Sequence, residues 1–309
     1  MPAGIEPLAK SQAAPAHSGP AAWPRIALVT PVYNSGRYIE QTIRSVLAQS
    51  YPNLDYFIVD GGSTDNTIET IRKYEGSISG WLSEPDKGMY DAINKGFART
   101  TGDIMGWISA TDQLHVGALS VVGSVFREFP EVEWITGRPT SYNEEGMTIE
   151  IGSIPRWSRV RFLAGFNRYI QQECTFWRRS LWTKAGGFVD ASRRSASDFE
   201  LWLRFFRHAR LYPVDALIGG YRYHADADSA VNVDRYNKIC DGLLDQELKG
   251  LAWGGALQTF HHTNRAIGNV RVLRALWYWV VLRGLDRVLR WDIAPVIQFR
   301  SGRWALTKT

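Results

Sequence analysis

Chemistry-bearing residues gather in a few short runs of this chain. Asp112 closes the run Trp107-Ile108-Ser109-Ala110-Thr111-Asp112. A carboxylate in that position can bind Mg²⁺ or Mn²⁺, with diphosphate oxygens and water filling the remaining positions; the plainer reading is a helix cap made by Thr111 or Asp112. Val59-Asp60-Gly61-Gly62-Ser63-Thr64-Asp65, taken with Thr30-Pro31-Val32-Tyr33-Asn34, joins an acid to a glycine turn. Such an acid can accept hydrogen bonds from a base or ribose, while the glycines let backbone approach closely. In Ser83 to Gly96, the residues Asp91, Asn94 and Lys95 fall on one helical face, and Lys87 and Lys95 could meet a diphosphate. Asp198 and Glu200 are two apart, so on a helix they point to different sides and one of them can face a cleft. His224 ends Tyr221-Arg222-Tyr223-His224, where a lone histidine is more often structural.

These residues need a frame, and the hydrophobic pattern supplies one. Strands are expected at Ile26–Thr30, ended by Pro31, and at Tyr56–Val59, Ser79–Leu82 and Ile104–Ile108. Helical spacing marks Tyr38–Gln49, Asn66–Tyr74 with Asp65 as its cap, Asp91–Arg99 and Val116–Phe129. Alternation of this kind predicts an α/β domain built on a mostly parallel sheet. Such sheets bind ligands at the carboxyl ends of their strands, where the strand order switches. Asn34, Asp60, Asp86 and Asp112 each follow one of the four strands. Further on, Glu173–Trp177 and Leu217–Tyr223 read as strands and Phe199–His208 as a helix. No Gly-x-Gly-x-x-Gly follows the first strand and no Gly-Lys-Ser/Thr loop is present, which argues against a dehydrogenase or a P-loop ATPase.

Taken in order, four segments resemble a family 2 glycosyltransferase of the GT-A fold: Thr30 to Asn34, Ser45 to Asn53, Val59 to Thr67, and Pro85 to Gly96. The likeness runs from about Ile26 to about Ser229. It implies an inverting transfer of a sugar from a nucleotide-diphosphate donor, a UDP-sugar by default, to an acceptor hydroxyl. It implies that Asp60 contacts the base, Asp112 the divalent cation and His224 the metal or diphosphate. Imidazole beside carboxylate suits Mn²⁺ better than Mg²⁺. Thr111 stands where many relatives carry a second acid. The likeness makes Asp198 the base that takes the acceptor proton, kept ionised by the dipole of a helix N-terminus, and Ser197 precedes it where relatives carry a Glu. Glu173 and Trp177 fall in the segment that resembles the acceptor side, although a core strand with basic flanks fits that segment too. The Gln-x-x-Arg-Trp signature of processive synthases is absent after Asp198, so one sugar per event is expected.

Composition sets the bounds. The chain has 309 residues, 45% hydrophobic, with a net charge of +5. That suffices for one large domain with an appendage, read as a disordered arm (1–24), a catalytic domain (25–230) and a helical, basic extension (231–309). Only Cys174 and Cys240 are present, and a reducing cytoplasm is the default. The stretch Asn264 to Arg303 holds eight Arg against Asp286 and Asp292. Arg283, Arg287 and Arg290 share a helix face opposite Leu282, Leu285, Val288 and Leu289. Two readings stand: a peripheral contact with the inner face of an anionic membrane, or a helix packed on the domain or on a second subunit. No nucleic-acid module is recognised. The first reading fits a glycan or lipid-linked acceptor in surface polysaccharide synthesis. The rival functions are a sugar nucleotidyltransferase and a catalytically silent protein that binds nucleotide sugars.

Overall fold

The structure, a computed structural model, describes residues 22–166, 168–224, 233–268 and 292–307. The expected arm (1–24), the boundary at 230/231 and the Arg283–Arg290 face lie wholly or mostly outside them, as do Trp277, Tyr278, Trp279 and Trp291. The described elements are β1 (Ile26–Val32), α1 (Ile39–Leu47), β2 (Leu54–Asp60), α2 (Thr67–Arg72), β3 (Gly80–Ser83), α3 (Met89–Phe97), β4 (Ile104–Trp107), β5 (Gln113–Leu114) and α4 (Ala118–Glu128). There follow β6 (Trp134–Thr136), β7 (Thr140–Tyr142), β8 (Thr148–Ile151), α5 (Arg159–Leu163), β9 (Thr175–Arg178), α6 (Arg179–Lys184), α7 (Ser197–His208), β10 (Leu211–Pro213) and β11 (Gly219–Arg222). The last are α8 (Val233–Lys249), α9 (Gly254–Gly268), β12 (Val296–Arg300) and β13 (Arg303–Thr307).

A seven-stranded sheet runs in the order β10-β6-β9-β4-β1-β2-β3. Most neighbours are parallel, as expected, but β9 lies antiparallel between β4 and β6. β1 is buried along its whole length because helices cover both faces. Its alternate residues divide the core: Ala27 and Val29 face α3, α7 and α8, while Ile26 and Leu28 face α1 and α4. Pro31 does not end this strand. Val29 and Pro31 face β4, and Ile108 N already donates to Val29 O where β4 stops. The missing N–H of Pro31 therefore costs no ladder bond. The chain leaves β1 to cross one face through α1 and reaches β4 across the other through α3, so the strand order switches between β1 and β4.

A second sheet, β5-β11-β7-β8, stands over that switch. β5 begins immediately after Asp112, and β11 pairs antiparallel with it. Behind the site lies an aromatic layer. Trp107 and Trp177 pack edge to face at 5.3 Å, and Trp107 stacks on Trp202 at 5.8 Å. Most of the thirteen Trp, thirteen Tyr and thirteen Phe that the composition shows thus have packing work to do. Among the described residues the C-terminal part shares the core of the domain: Cys240, Leu244 and Leu248 of α8 are buried with α7. It is also not wholly helical. The β12–β13 hairpin lies beside β10, with Val214 bridging Ile297 and Asp215 N donating to Ile297 O at 2.8 Å. Among the described residues no helix is long and apolar enough to cross a membrane.

β11 comes within backbone contact of the segment before β9. A Cβ on Gly219 would overlap the Glu173 carbonyl, whereas one on Gly242, on the exposed face of α8, would meet nothing. Gly219→Ala should therefore cost about 2 kcal/mol in urea unfolding, while Gly242→Ala should gain about 0.5–1 kcal/mol. Equal effects would contradict the close approach of β11 to Glu173.

Candidate active site

At the carboxyl ends of β1 and β4 the surface opens into three adjoining hollows that meet around Met89. The first, of about 500 Å³, runs between Pro31, Tyr33 and Gly61 on one side and Ser109 and Thr111 on the other, with Asp86 at its end. The second, of about 400 Å³, is lined by Thr111, Asp112, Glu173, Asp198, His224 and Tyr236 among others. The third, of about 570 Å³, carries Lys87, Arg193, Arg194 and Arg235.

Asp112 is 2% exposed. Its Oδ1 accepts the Arg222 N–H at 3.0 Å, and its Oδ2 has the Gln172 amide at 3.5 Å. Burial pushes its pKa up to about 7, against the pull of the Arg222 N–H and the Arg222 charge. Arg222, fully buried, is what holds this turn. Its guanidinium donates to Thr111 O, Glu144 O and Gln41 Oε1, and lies 5.3 Å from the Tyr38 ring. Burial draws the Arg222 pKa down, and nearby Asp112 works the other way. His224 lines the same hollow with its ring 5.1 Å from that of Tyr38. Asp112 and His224 are thus the residues that could hold a cation. Among the described residues no cluster of three or more His, Cys, Asp or Glu is placed to hold one unaided. A carboxylate, an imidazole and diphosphate oxygens make a coherent donor set for Mn²⁺ or Mg²⁺, so the residues fit a cation that arrives with its substrate.

Asp198 sits in the first turn of α7, held there by Ala196 in the left-handed conformation (φ 63°) and by Ser197 Oγ donating to Asp190 O. Two tyrosines flank its carboxylate: Tyr90 Oη at 3.5 Å and Tyr236 Oη at 3.3 Å. The dipole was expected to keep Asp198 low, but burial outweighs it and raises the pKa, with the Phe199 N–H and the two hydroxyls pulling back. Glu200 turns away to pair with Arg204 at 2.7 Å. Glu173, 3% exposed, completes a trio of carboxylates around the hollow. Its Oε1 has no hydrogen-bond partner, and burial together with the charges of Asp112 and Asp198 drives its pKa well up.

The remaining sequence expectations divide. Pro31, Tyr33, Gly61 and Thr111 line the first hollow, and Lys87 the third. Thr30 is fully buried and its hydroxyl meets Tyr56 Oη at 3.0 Å, so it does not reach the cleft. Asp60, with no exposed surface, accepts from Gly62 N, Ser63 N, Ser63 Oγ and Ser83 Oγ. Both of its oxygens shape the turn instead of facing a base. Asn34 (φ 44°) ties two loops, accepting from Thr64 N while its own N–H donates to Ser63 Oγ. Asn94 exchanges two hydrogen bonds with the Val189 backbone. Lys95 pairs with Glu84 and Asp91, so neither Lys95 nor Asp91 is turned to the cleft. Trp177 is core, fully buried against Trp107 and Phe97, and cannot touch an acceptor. Asp86, Tyr90, Arg222 and Tyr236 were not assigned to the site from sequence. Asp86 was at least visible as one of four residues at strand ends.

The pKa of Asp112 sets a pH dependence of stability. A carboxylate raised in the folded state contributes stability fully below its ordinary pKa, and that contribution is lost as pH rises through about 7. Asp112→Asn has no charge to bury. Without metal it should exceed wild type by up to about 4 kcal/mol at about pH 8, with the gap closing by about pH 4. Urea unfolding in a chelator checks this, and a gap constant with pH would contradict it.

Comparison with known proteins fits this geometry. An uncharacterized glycosyltransferase of Mycobacterium tuberculosis is 31% identical over 190 residues, covering 59% of this chain and 68% of its own. The crystal structure of S. aureus TarS 1-349 with UDP-GlcNAc aligns with a TM-score of 0.60 at 16% identity, over 72% of this chain and 66% of that one. The Pyrobaculum calidifontis mannosyltransferase PcManGT, solved with GDP-Man and Mn²⁺, aligns with a TM-score of 0.54 at 16% identity, over 86% of this chain and 81% of that one. These two structures share the fold, an α/β arrangement of the GT-A type. The family model for glycosyl transferase family 2 matches residues 27–186, more than half of the chain. This chain therefore belongs to glycosyl transferase family 2 and is a glycosyltransferase.

Proposed function

We propose that this enzyme transfers one sugar per event, with inversion, from a nucleoside diphosphate donor to an acceptor hydroxyl. The observation that carries the proposal is that Asp112 and Asp198 line one hollow, which shares Met89, Ser109 and Thr111 with a second of about 500 Å³ whose charged lining residue is Asp86. The nucleoside would lie between Tyr33, Gly61 and Asp86, with Thr111 beside the diphosphate. Asp112 and His224 would then hold a divalent cation together with the diphosphate oxygens. Such a cation supplies charge that offsets the build-up on the departing nucleoside diphosphate.

On the other side of the sugar, Asp198 accepts the proton of the acceptor hydroxyl. That oxygen forms its bond to the anomeric carbon while the bond to the diphosphate oxygen breaks, and the electron pair leaves with the nucleoside diphosphate. A single base and a single displacement invert the anomeric centre. The raised pKa of Asp198 makes it a stronger base than an ordinary carboxylate, and Tyr90 and Tyr236 fix its orientation. The ligands of TarS (UDP-GlcNAc) and PcManGT (GDP-Man and Mn²⁺) support a nucleotide-sugar donor and a cation for this chain. UDP is the default nucleotide, and a glycan or lipid-linked acceptor is the companion proposal. A peripheral membrane location rests on the sequence of 264–303 alone.

Thermal unfolding with UDP, GDP, dTDP or CDP, with and without Mn²⁺, tests the donor half. One nucleotide should stabilise the chain in a Mn²⁺-dependent manner, and Asp112→Ala should lose that shift; stabilisation that ignores Mn²⁺ would remove the cation from the proposal. For the acceptor half, Asp198→Asn should keep nucleotide binding while lowering kcat about 10²–10⁴-fold. An active Asp198→Asn enzyme would exclude it as the base, and a wild type that binds donor yet never transfers would be a silent binding protein.

A further inference from the structure

The third hollow is not needed by the reaction as described. It is lined by Lys87, Arg193, Arg194 and Arg235, with Asp86 as the carboxylate on its wall. Arg193 is neutralised by Asp190 at 2.8 Å. Lys87, Arg194 and Arg235 are exposed and form no ion pair among the described residues. Cations of this kind, gathered around one concavity, sum to a positive potential inside it. Solvated surface charges would instead be spread over a convex face. They come from three elements far apart in sequence: the turn before α3, the loop before α7, and α8. The fold therefore brings them together.

Position narrows what the charge is for. Tyr90 and Ser195 line both this hollow and the one that holds Asp198. Arg193, Arg194 and Arg235 line neither the hollow with Asp112 nor the nucleotide hollow. Asp86, Gly88 and Met89 line the nucleotide hollow as well, so the arginines are the part of this lining that the donor's hollow does not share, and a group they bind borders the Asp198 hollow through Tyr90 and Ser195. Arg194 and Arg235 pair with no carboxylate among the described residues, and Lys87 acts on Asp91 without a close ion pair; this excess of positive charge matches a doubly charged oxyanion better than a single carboxylate, and arginine forks suit phosphate oxygens.

We propose that this hollow binds a phosphate group carried by the acceptor, so that the enzyme glycosylates a phosphate-bearing glycan or polyol close to its phosphate. This rests on the proposed role of Asp198 and deepens it by naming the acceptor class. Once the phosphate is seated, the neighbouring hydroxyl is delivered to Asp198 by the covalent length of the acceptor itself.

The full chain, saturated with the nucleoside diphosphate that stabilises it most in Mn²⁺, is titrated calorimetrically with glycerol 3-phosphate, glycerol and glucuronate. Glycerol 3-phosphate should bind without displacing the nucleotide, more tightly than glucuronate, and glycerol should not bind. Arg194→Ser combined with Arg235→Ser should weaken glycerol 3-phosphate at least tenfold and leave nucleotide affinity within twofold. Both side chains are exposed, so the fold should survive, and the melting temperature confirms it. Competition between glycerol 3-phosphate and nucleotide, or loss of nucleotide affinity in the double variant, would hand the hollow to the donor and overturn the proposal. Glucuronate binding as tightly as the phosphate would overturn the phosphate assignment. Failure of every nucleotide to bind would sink the donor reading instead, while the same titration without nucleotide would still report on the anion site.

Discussion

Arg222 has no exposed surface, and it touches nearly everything that places Asp112. Its N–H holds one Asp112 oxygen, and its guanidinium ties the Thr111 carbonyl to α1 through Gln41 and to the β7–β8 turn through Glu144. A buried charge is costly unless it is hydrogen-bonded. The acceptors available to the guanidinium are carbonyl and amide oxygens, which satisfy its donors without cancelling its charge. The second sheet can be understood as the scaffold that supplies those acceptors. β11 carries Arg222, β5 continues from Asp112, and β7 with β8 presents the Glu144 turn.

That arrangement leaves the ligand-free site short of negative charge at one point and crowded with it at another. Asp112, Glu173 and Asp198 surround one hollow, and burial raises the pKa of each. On the proposed function, a diphosphate with its cation would change the balance, because a cation would favour the ionised form of Asp112. Asp198 has its own partners in the Tyr90 and Tyr236 hydroxyls, and the Asp112 charge is not among the influences on its pKa, so its basicity is set separately. Separate environments for two carboxylates in one cavity are how one can serve as ligand and the other as base.

Much of the frame could be read in the sequence, because strands buried on both faces and helices with one apolar side leave clear periods. What escaped was structure without a local period. β5 has two residues, too few to show a period, and β8 alternates over only four residues, Thr148 to Ile151, all of them exposed. β9 reads like any buried strand, and nothing in its composition reveals that it runs antiparallel. The same divide holds in the site. Asp112 and Asp198 could be named because each ends or begins an element at the sheet's carboxyl edge. Tyr236 lies 38 residues beyond Asp198 on another helix, and no spacing rule connects them.

Thr30, Asn34, Asp60, Asn94 and Lys95 show the converse. Their types suit ligand binding, but type does not give direction. Thr30 points into the sheet, where Tyr56 takes its hydroxyl. Asp60 follows β2 as an acid should, yet its oxygens are the nearest acceptors for the N–H groups of the glycine turn, and an Asx-type turn captures them. Asn94 and Lys95 lock α3 to its neighbours through Val189 and Glu84. Their effect on function is indirect but physical. By fixing the turn after β2 and the start of α3, they set the width of the cleft between Gly61, Asp86 and Met89. A cleft built from backbone and held open by buried polar groups keeps its shape when empty, so less binding energy is lost to ordering it.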